Sequence, residues 1–421
     1  MKDWQNEFRR EPLLTLRALG SQGDWVPFQW EGSSCLLLND PDLVEEVLLH
    51  EQRSFERSGG PARLQRLLGN GLLRSRDDKH LRQRRLSQPA FLPKAIDRYS
   101  KLMARESEAA CRTWKPRLDF HQECLRLTLS IATRCFFGLD LSKETSAANT
   151  AIQSLPPGRT GLDEKLRKWK FDRALKRLDR TLYRLIDSDS LDPDTLLHSL
   201  RATRDLETDG TGMNREELRD ELMTLLIAGH ETTASALSWA GYLAAKFPQV
   251  QSPENARGIF AEALRLYPPA WILLRRALRA VTLSRKKVSA GTFVVISPYL
   301  LGRDARLFPD PERCDPFRKR EKGFLPFGLG NRRCLGESFA WKEGEVILST
   351  ILSHFTLSLR DGSSIHEEAA FTLRPRGGMP LQLHEREKEK ILGEIGLADR
   401  GLGRPSHVDP KDGQNRFGPL A

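Results

Sequence analysis

The sequence has no hydrophobic leader: Lys2, Asp3, Glu7, Arg9, Arg10, Glu11 and Arg17 charge the first twenty residues throughout. That excludes a signal-peptide core and a transmembrane helix there, and the expectation is a soluble, cytoplasmic protein. Paired cysteines are also missing. The six present, Cys35, Cys111, Cys124, Cys135, Cys314 and Cys334, stand apart without CxxC spacing, which excludes a disulfide scaffold and fits a reducing compartment. No Gly/Ser or Pro linker divides the first 385 residues, and no internal repeat recurs. Acidic residues are the minority, 56 against 67 Lys and Arg, for a formal charge of +11. The excess is dispersed and accompanies no zinc-finger, RNA-binding or basic-zipper pattern, so nucleic acid is not an expected partner. An acidic protein or an anionic lipid surface is.

What is present is enough for a large core, with 39% hydrophobic and 8% aromatic residues in 421. One domain over residues 1–384 is expected, followed at 385–421 by a charged, disordered tail that starts Glu-Arg-Glu-Lys-Glu-Lys. Apolar runs at Trp25–Trp30 and Cys35–Leu38 read as paired strands. Helical periodicity then dominates: Asp42–Leu49, His80–Ser87, Ile96–Trp114, Phe120–Phe137, Lys165–Ile186 and a long stretch from Asn214, a candidate N-cap, to Phe247. Strand signals return at Val281–Leu283, Thr292–Ile296, Thr356–Leu359, Phe371–Leu373 and Leu381–Leu383. The fold class is mainly α with small β-sheets (α+β).

Three motifs bear chemistry. Phe327-Gly-Leu-Gly330-Asn-Arg332-Arg-Cys334-Leu-Gly336 sets one cysteine in a glycine turn behind an aromatic residue and an arginine. Such a turn presents a thiolate to a haem iron: the glycines allow the turn and bring amide N–H groups to the sulfur, and Arg332 suits a propionate. The bland alternative is a buried, inert thiol. Inside the long helix, Ala228-Gly229-His230-Glu231-Thr232-Thr233 puts small residues, an acid and a hydroxyl where a flat ligand could approach. Gly229 costs a helix about 1 kcal/mol relative to Ala and asks for a reason. Thr232 can bond a carbonyl one turn back or a water and open the helical ladder, with Glu231 as proton relay; a small-residue helix contact is the alternative. Glu262-x-x-Arg265 is weak alone but is followed in order by Arg275-Arg276, by Pro316-Phe317-Arg318 and by the cysteine loop, so that Arg318 could complete a Glu-Arg-Arg cluster.

Taken in order, His80-x-x-x-Arg84, the Ala228–Thr233 motif, Glu262-x-x-Arg265, Pro316–Arg318 and the Cys334 loop resemble the cytochrome P-450 family of haem-thiolate monooxygenases, over roughly residues 10 to 384. The resemblance implies haem b with Cys334 as axial ligand, and propionates held by His80, Arg84, Arg276 and Arg332, with Arg275 as runner-up to Arg276. It also implies Phe327, Gly330 and Gly336 around the cofactor, and oxygen activation by Glu231 and Thr232. Cysteine ligation favours O–O cleavage and hence attack on an unactivated C–H.

The short Phe247–Glu262 interval, the run Glu262–Arg276 and the run Phe371–Met379 are similar to short bacterial carotenoid-ring hydroxylases. That implies hydroxylation of a β-ionone ring at C-2 or C-3, with Leu225, Leu226, Ala228, Trp271, Ile272 and Phe371 lining an apolar channel, though these could equally be core. Lys165–Arg173 mixes cations with aromatics and suits transient contact with an anionic membrane, or is a solvated helix face. Length leaves no room for a fused reductase, so a ferredoxin and its reductase are the expected electron donors, meeting Lys79, Arg82, Arg85 and Arg333. The competing readings are a fatty-acid or other lipid or terpenoid hydroxylase, a peroxide-using variant, and a haem-binding sensor without turnover.

Overall fold

A computed structural model describes residues 4–58, 63–141 and 162–386. Helix Phe120–Phe137 starts at Asp119, whose side chain accepts from the His121 and Gln122 amides, and stops at Gly138 in the left-handed region. Helix Pro93–Cys111 turns Ala95, Ile96, Tyr99, Met103, Ser107 and Cys111 inward at helical spacing. The long helix, Arg215–Lys246, opens with a reciprocal capping box between Asn214 and Glu217. Apolar or small residues surround its second half, so it runs buried through the core and packs on Phe120–Phe137, Ala256–Leu266 and Glu337–His354.

Beside this helical body lies a five-stranded sheet in the spatial order Trp25–Trp30, Ser33–Leu38, Phe293–Ile296, Leu273–Ala277 and Phe55–Arg57. Its last pair is antiparallel and sets Arg57 opposite Arg275 and Glu56 opposite Arg276. Smaller sheets join Arg117–Asp119, Pro380–Glu385 and Phe355–Leu359, and pair Glu367–Ala369 with Leu373–Pro375.

Several boundaries differ from the sequence expectation. Strands Phe55–Arg57 and Leu273–Ala277 escape the alternation rule because charged residues occupy their inward positions. The helix expected over Asp42–Leu49 is α only for Pro41–Glu45 and continues as a wider π turn, Glu46–His50. Between Lys246 and Ala256 there are two 3-10 turns, Pro248–Val250 and Pro253–Asn255, where the short interval leaves no room for a full helix. The described residues up to Glu385 belong to one contact unit, and 387–421 of the charged tail lie outside the described residues. Among the described residues no helix is long and apolar enough to cross a membrane.

One connection shapes the site's rim. The segment Leu67–Leu72 docks on the first turns of the long helix through three consecutive residues. Arg219 donates Nη1 to the Leu67 carbonyl at 2.9 Å, Asp220 accepts from the Asn70 amide at 2.7 Å, and Glu221 accepts from the Leu72 amide at 2.9 Å. Glu221 is buried with its second oxygen unpartnered, and burial pushes its carboxyl up to about 7 from 4.5. The folded state therefore holds this proton more tightly than the unfolded chain. The associated stability is complete below pH 4.5 and is lost as pH rises through about 7. Glu221→Gln removes the dependence. Denaturant unfolding at pH 5 and pH 8 should show the variant gaining about 2–3 kcal/mol on the parent at the higher pH.

Candidate active site

Cys334 is exposed, whereas the other five cysteines are buried. Protein nevertheless crowds it so closely that burial pushes its thiol up to about 11. The Gly336 amide works against that shift, Glu337 adds to it, and Arg84 and Arg333 oppose it. Cys334 thus keeps exposed surface although protein surrounds it closely. A thiol held this high stays neutral at pH 7 until a metal cation takes the sulfur.

The loop is pinned from several elements. Gly328 and Gly330 adopt φ of 69° and 72°, and a Cβ at Gly330 would overlap the Leu48 carbonyl oxygen. Gln52 accepts from the Asn331 amide at 2.9 Å, Arg84 donates to the Arg333 carbonyl at 2.7 Å, and the Cys334 amide donates to Phe327 O at 2.9 Å. Phe327 packs on Trp341 at 5.6 Å between centroids. The expectation for Gly336 is corrected in part: its φ of −85° suits any residue, and its contribution is the amide at the sulfur.

Behind the loop lies a group of buried cations. Both ring nitrogens of His80 face backbone carbonyls, Nδ1 that of Leu72 at 3.1 Å and Nε2 that of Asn331 at 3.2 Å, and Arg332 Nη1 lies 2.9 Å from Nδ1. Burial and then Arg332 hold this imidazole down to about 4, keeping it neutral. Arg275 and Arg332 are each lowered to about 10, by burial first and then by neighbouring arginines, Arg57 foremost. Arg57 is lowered by burial and Arg74, and the Arg74 Nε is buried without a partner. Among the described residues none of Arg57, Arg74, Arg275 and Arg332 forms an ion pair, and Arg57 faces Arg275 directly across the sheet. Like charges so placed repel unless an anion lies between them.

Strand alternation sets the two adjacent arginines on opposite faces: Arg275 is buried, while Arg276 pairs with Glu56 at 2.6 Å and stays half exposed. Arg276 and Glu56, with Arg57, Arg74, Arg332 and Phe371, line a cavity of about 310 Å³. Arg57 and Arg74 escaped sequence reasoning. Neither stands in a motif, and no sequence signal marked them.

The long helix carries the second motif. From Glu221 to Ala245 every residue is buried except Ala228, Gly229, Glu231, Thr232 and Tyr242, so the helix midpoint opens one window of small side chains. Thr232 donates Oγ1 to the Ala228 carbonyl at 2.8 Å, and the α-helix continues unbroken there instead of opening its ladder. Glu231 accepts from the hydroxyl of Thr372 at 2.9 Å, a partner that no sequence motif announces.

Of the other expected channel residues, Leu226 is fully buried core, and Trp271 stacks on Phe8 while its indole N–H donates to Ala370 O at 3.1 Å. Both are removed from the channel, because their surfaces are already covered by protein. Leu225 is nearly buried, Ile272 half-buried, and Phe371 is 56% exposed.

Beneath the loop, Arg265 forks onto both Glu262 oxygens at 2.7 Å and donates to the Gly302 and Pro311 carbonyls. Arg318 and the Asp315 amide reach the same carboxylate at 3.2 and 3.0 Å. Three expected docking cations are tied down: Arg82 to Glu217, Arg85 to Asp205 and Arg333 to Glu337. Lys79 is exposed and forms no ion pair among the described residues.

An exposed cysteine in a glycine loop, a window of small residues on the long helix and a cavity lined by uncompensated arginines supply the ligand, the face and the anion site that an iron porphyrin bearing two carboxylates requires. A model of the family "Cytochrome P450" matches residues 15–156, 162–253 and 256–381. The chain belongs to the cytochrome P450 family and is a haem-thiolate monooxygenase. It is 35% identical to cyclooctatin synthase of Streptomyces melanosporofaciens over 88% of this chain and 89% of that protein. Pentalenene oxygenase of Streptomyces avermitilis is 28% identical over 91% and 94% respectively. The crystal structure of CYP175A1 from Thermus thermophilus superposes with a TM-score of 0.76 at 32% identity, covering 90% of this chain and 97% of that one.

Proposed function

We propose that this monooxygenase hydroxylates an apolar isoprenoid at an unactivated C–H, with the β-ionone ring of a carotenoid, at C-2 or C-3, as its first candidate. The observation that supports this is the helix window. Ala228, Gly229 and Thr232 offer dispersion contact to a hydrocarbon, and Glu231 is the one charge among them. Bound haem, ligated by Cys334, would supply the activation of dioxygen. Arg57 and Arg332 would hold its carboxylates, with Arg275 or Arg276 completing the set, and Glu231 and Thr232 would move protons at the window.

Electrons come from a ferredoxin and its reductase. The protein works in the cytoplasm and touches anionic membrane through Trp169, which is 55% exposed with the Arg173 guanidinium 5.4 Å from its ring.

A second reading, a compact cyclic terpenoid as substrate, is favoured by relatives named cyclooctatin synthase, cyclooctat-9-en-7-ol 5-monooxygenase and pentalenene oxygenase. Optical titration of the ferric protein separates the two. A saturable low-to-high-spin change with β-carotene in detergent is expected. Silence toward carotenoid with a response to a cyclic terpene moves the assignment to the second reading, and a response to a long-chain fatty acid alone sinks both.

A further inference from the structure

Glu231 is held by one residue that lies outside every motif. Thr372 belongs to the loop between strands Glu367–Ala369 and Leu373–Pro375. It is buried, and its hydroxyl donates to Glu231 Oε1 at 2.9 Å. A carboxylate can only accept, so Thr372 must be the donor, and its own oxygen is left facing Ser235 Oγ at 3.4 Å. Ser235 sits four residues after Glu231 on the long helix and is itself buried, so the three groups form one line of hydrogen bonds along that face.

The loop that carries Thr372 is braced on both sides. Leu373 donates its amide to Pro269 O at 3.1 Å, and Trp239 on the long helix donates its indole N–H to Leu373 O at 3.1 Å. Trp271 donates to Ala370 O at 3.1 Å. Fixed points so close together in the chain leave the hydroxyl little freedom. The same loop puts Phe371 into the cavity edged by the arginines. A long, flexible acid at a helix surface has several rotamers, and only some of them point along a proton route. A rigid donor selects one.

We propose that Thr372 is the positioning residue of the proton relay: it fixes the Glu231 carboxylate so that protons pass between it and the Thr232 end of the window. The proposal rests on the reading of Glu231 as the relay. Thr372 does not touch substrate or cofactor in this account and acts only through Glu231.

Thr372→Val removes the hydroxyl and keeps the shape, and Thr372→Ser restores the donor. With Thr372→Val, substrate affinity from the optical titration should stay within about twofold, while kcat falls roughly 3- to 10-fold, the equivalent of one hydrogen bond. Electrons should be diverted to peroxide, and Thr372→Ser should recover most of the loss. Independently of turnover, the carboxylate infrared band of the ferric protein that disappears in Glu231→Gln should shift in Thr372→Val and return in Thr372→Ser. The double variant should be no worse than Glu231→Gln. An impaired Glu231→Gln beside a Thr372→Val with parental coupling and an unmoved band would overturn the proposal alone. Parental turnover in Glu231→Gln would overturn the relay and the proposal together.

Discussion

Replacing Cys334 by serine should leave a folded protein that no longer oxidises substrate. The fold does not depend on this thiol: Cys334 is exposed, and the loop is held by Gln52, Arg84 and the Phe327 carbonyl through backbone groups that serine retains. What changes is the donor. A serine hydroxyl gives the iron no soft, electron-rich anion, and thiolate donation is what drives O–O cleavage in this class of site. Outer-shell changes around a metal ligand cost about 10- to 100-fold, so loss of the ligand itself should exceed ~100-fold in product formation. Unfolding by denaturant should remain within about 1 kcal/mol of the parent, because the thiol keeps little beyond the Gly336 amide. The ferrous carbonyl complex should lose the optical signature of thiolate ligation. Retention of both that signature and turnover would move the ligand elsewhere.

The helical body was legible in the sequence because its signals are local. Phe120–Phe137 shows its periodicity, its Asp119 cap and its closing Gly138 in one contiguous stretch, and Asn214 with Glu217 announces the long helix. The cysteine loop was equally local. Features that depend on tertiary pairing were not. Strand Leu273–Ala277 contains two adjacent arginines, and which of them faces inward depends on its register with Phe55–Arg57, more than two hundred residues earlier. Arg57 and Arg74 carry no motif of their own and become meaningful only as neighbours of Arg275 and Arg332. Thr372 meets Glu231 across 141 positions of sequence. Leu226 and Trp271 are apolar residues in the right region, but apolarity cannot distinguish the wall of a channel from the core behind it.

The inward arginine gives the second large effect, and it has opposite signs with and without cofactor. In the haem-free protein Arg275 is a penalty. Burial, Arg57 and Arg332 together lower it to about 10 from 12.5, which corresponds to about 3 kcal/mol of unfavourable environment for the charged form. A guanidinium keeps its charge over the accessible pH range, so the penalty is full at neutral pH. Arg275→Met keeps the stem and deletes the charge, so haem-free protein should resist denaturant by about 2–3 kcal/mol more than the parent. In the loaded protein the same charge would face a carboxylate, and the variant would lose a charge-assisted hydrogen bond of about 1.5–3 kcal/mol. Haem should therefore leave roughly 10- to 100-fold faster, measured as transfer to a haem-scavenging globin. Arg276→Met is the comparison. It removes a half-exposed pair with Glu56, worth about 0–1 kcal/mol, and should change neither measurement strongly. Fast haem loss from Arg276→Met, with Arg275→Met behaving like the parent, would assign the propionate to Arg276, which lines the cavity beside Arg57 and Arg332.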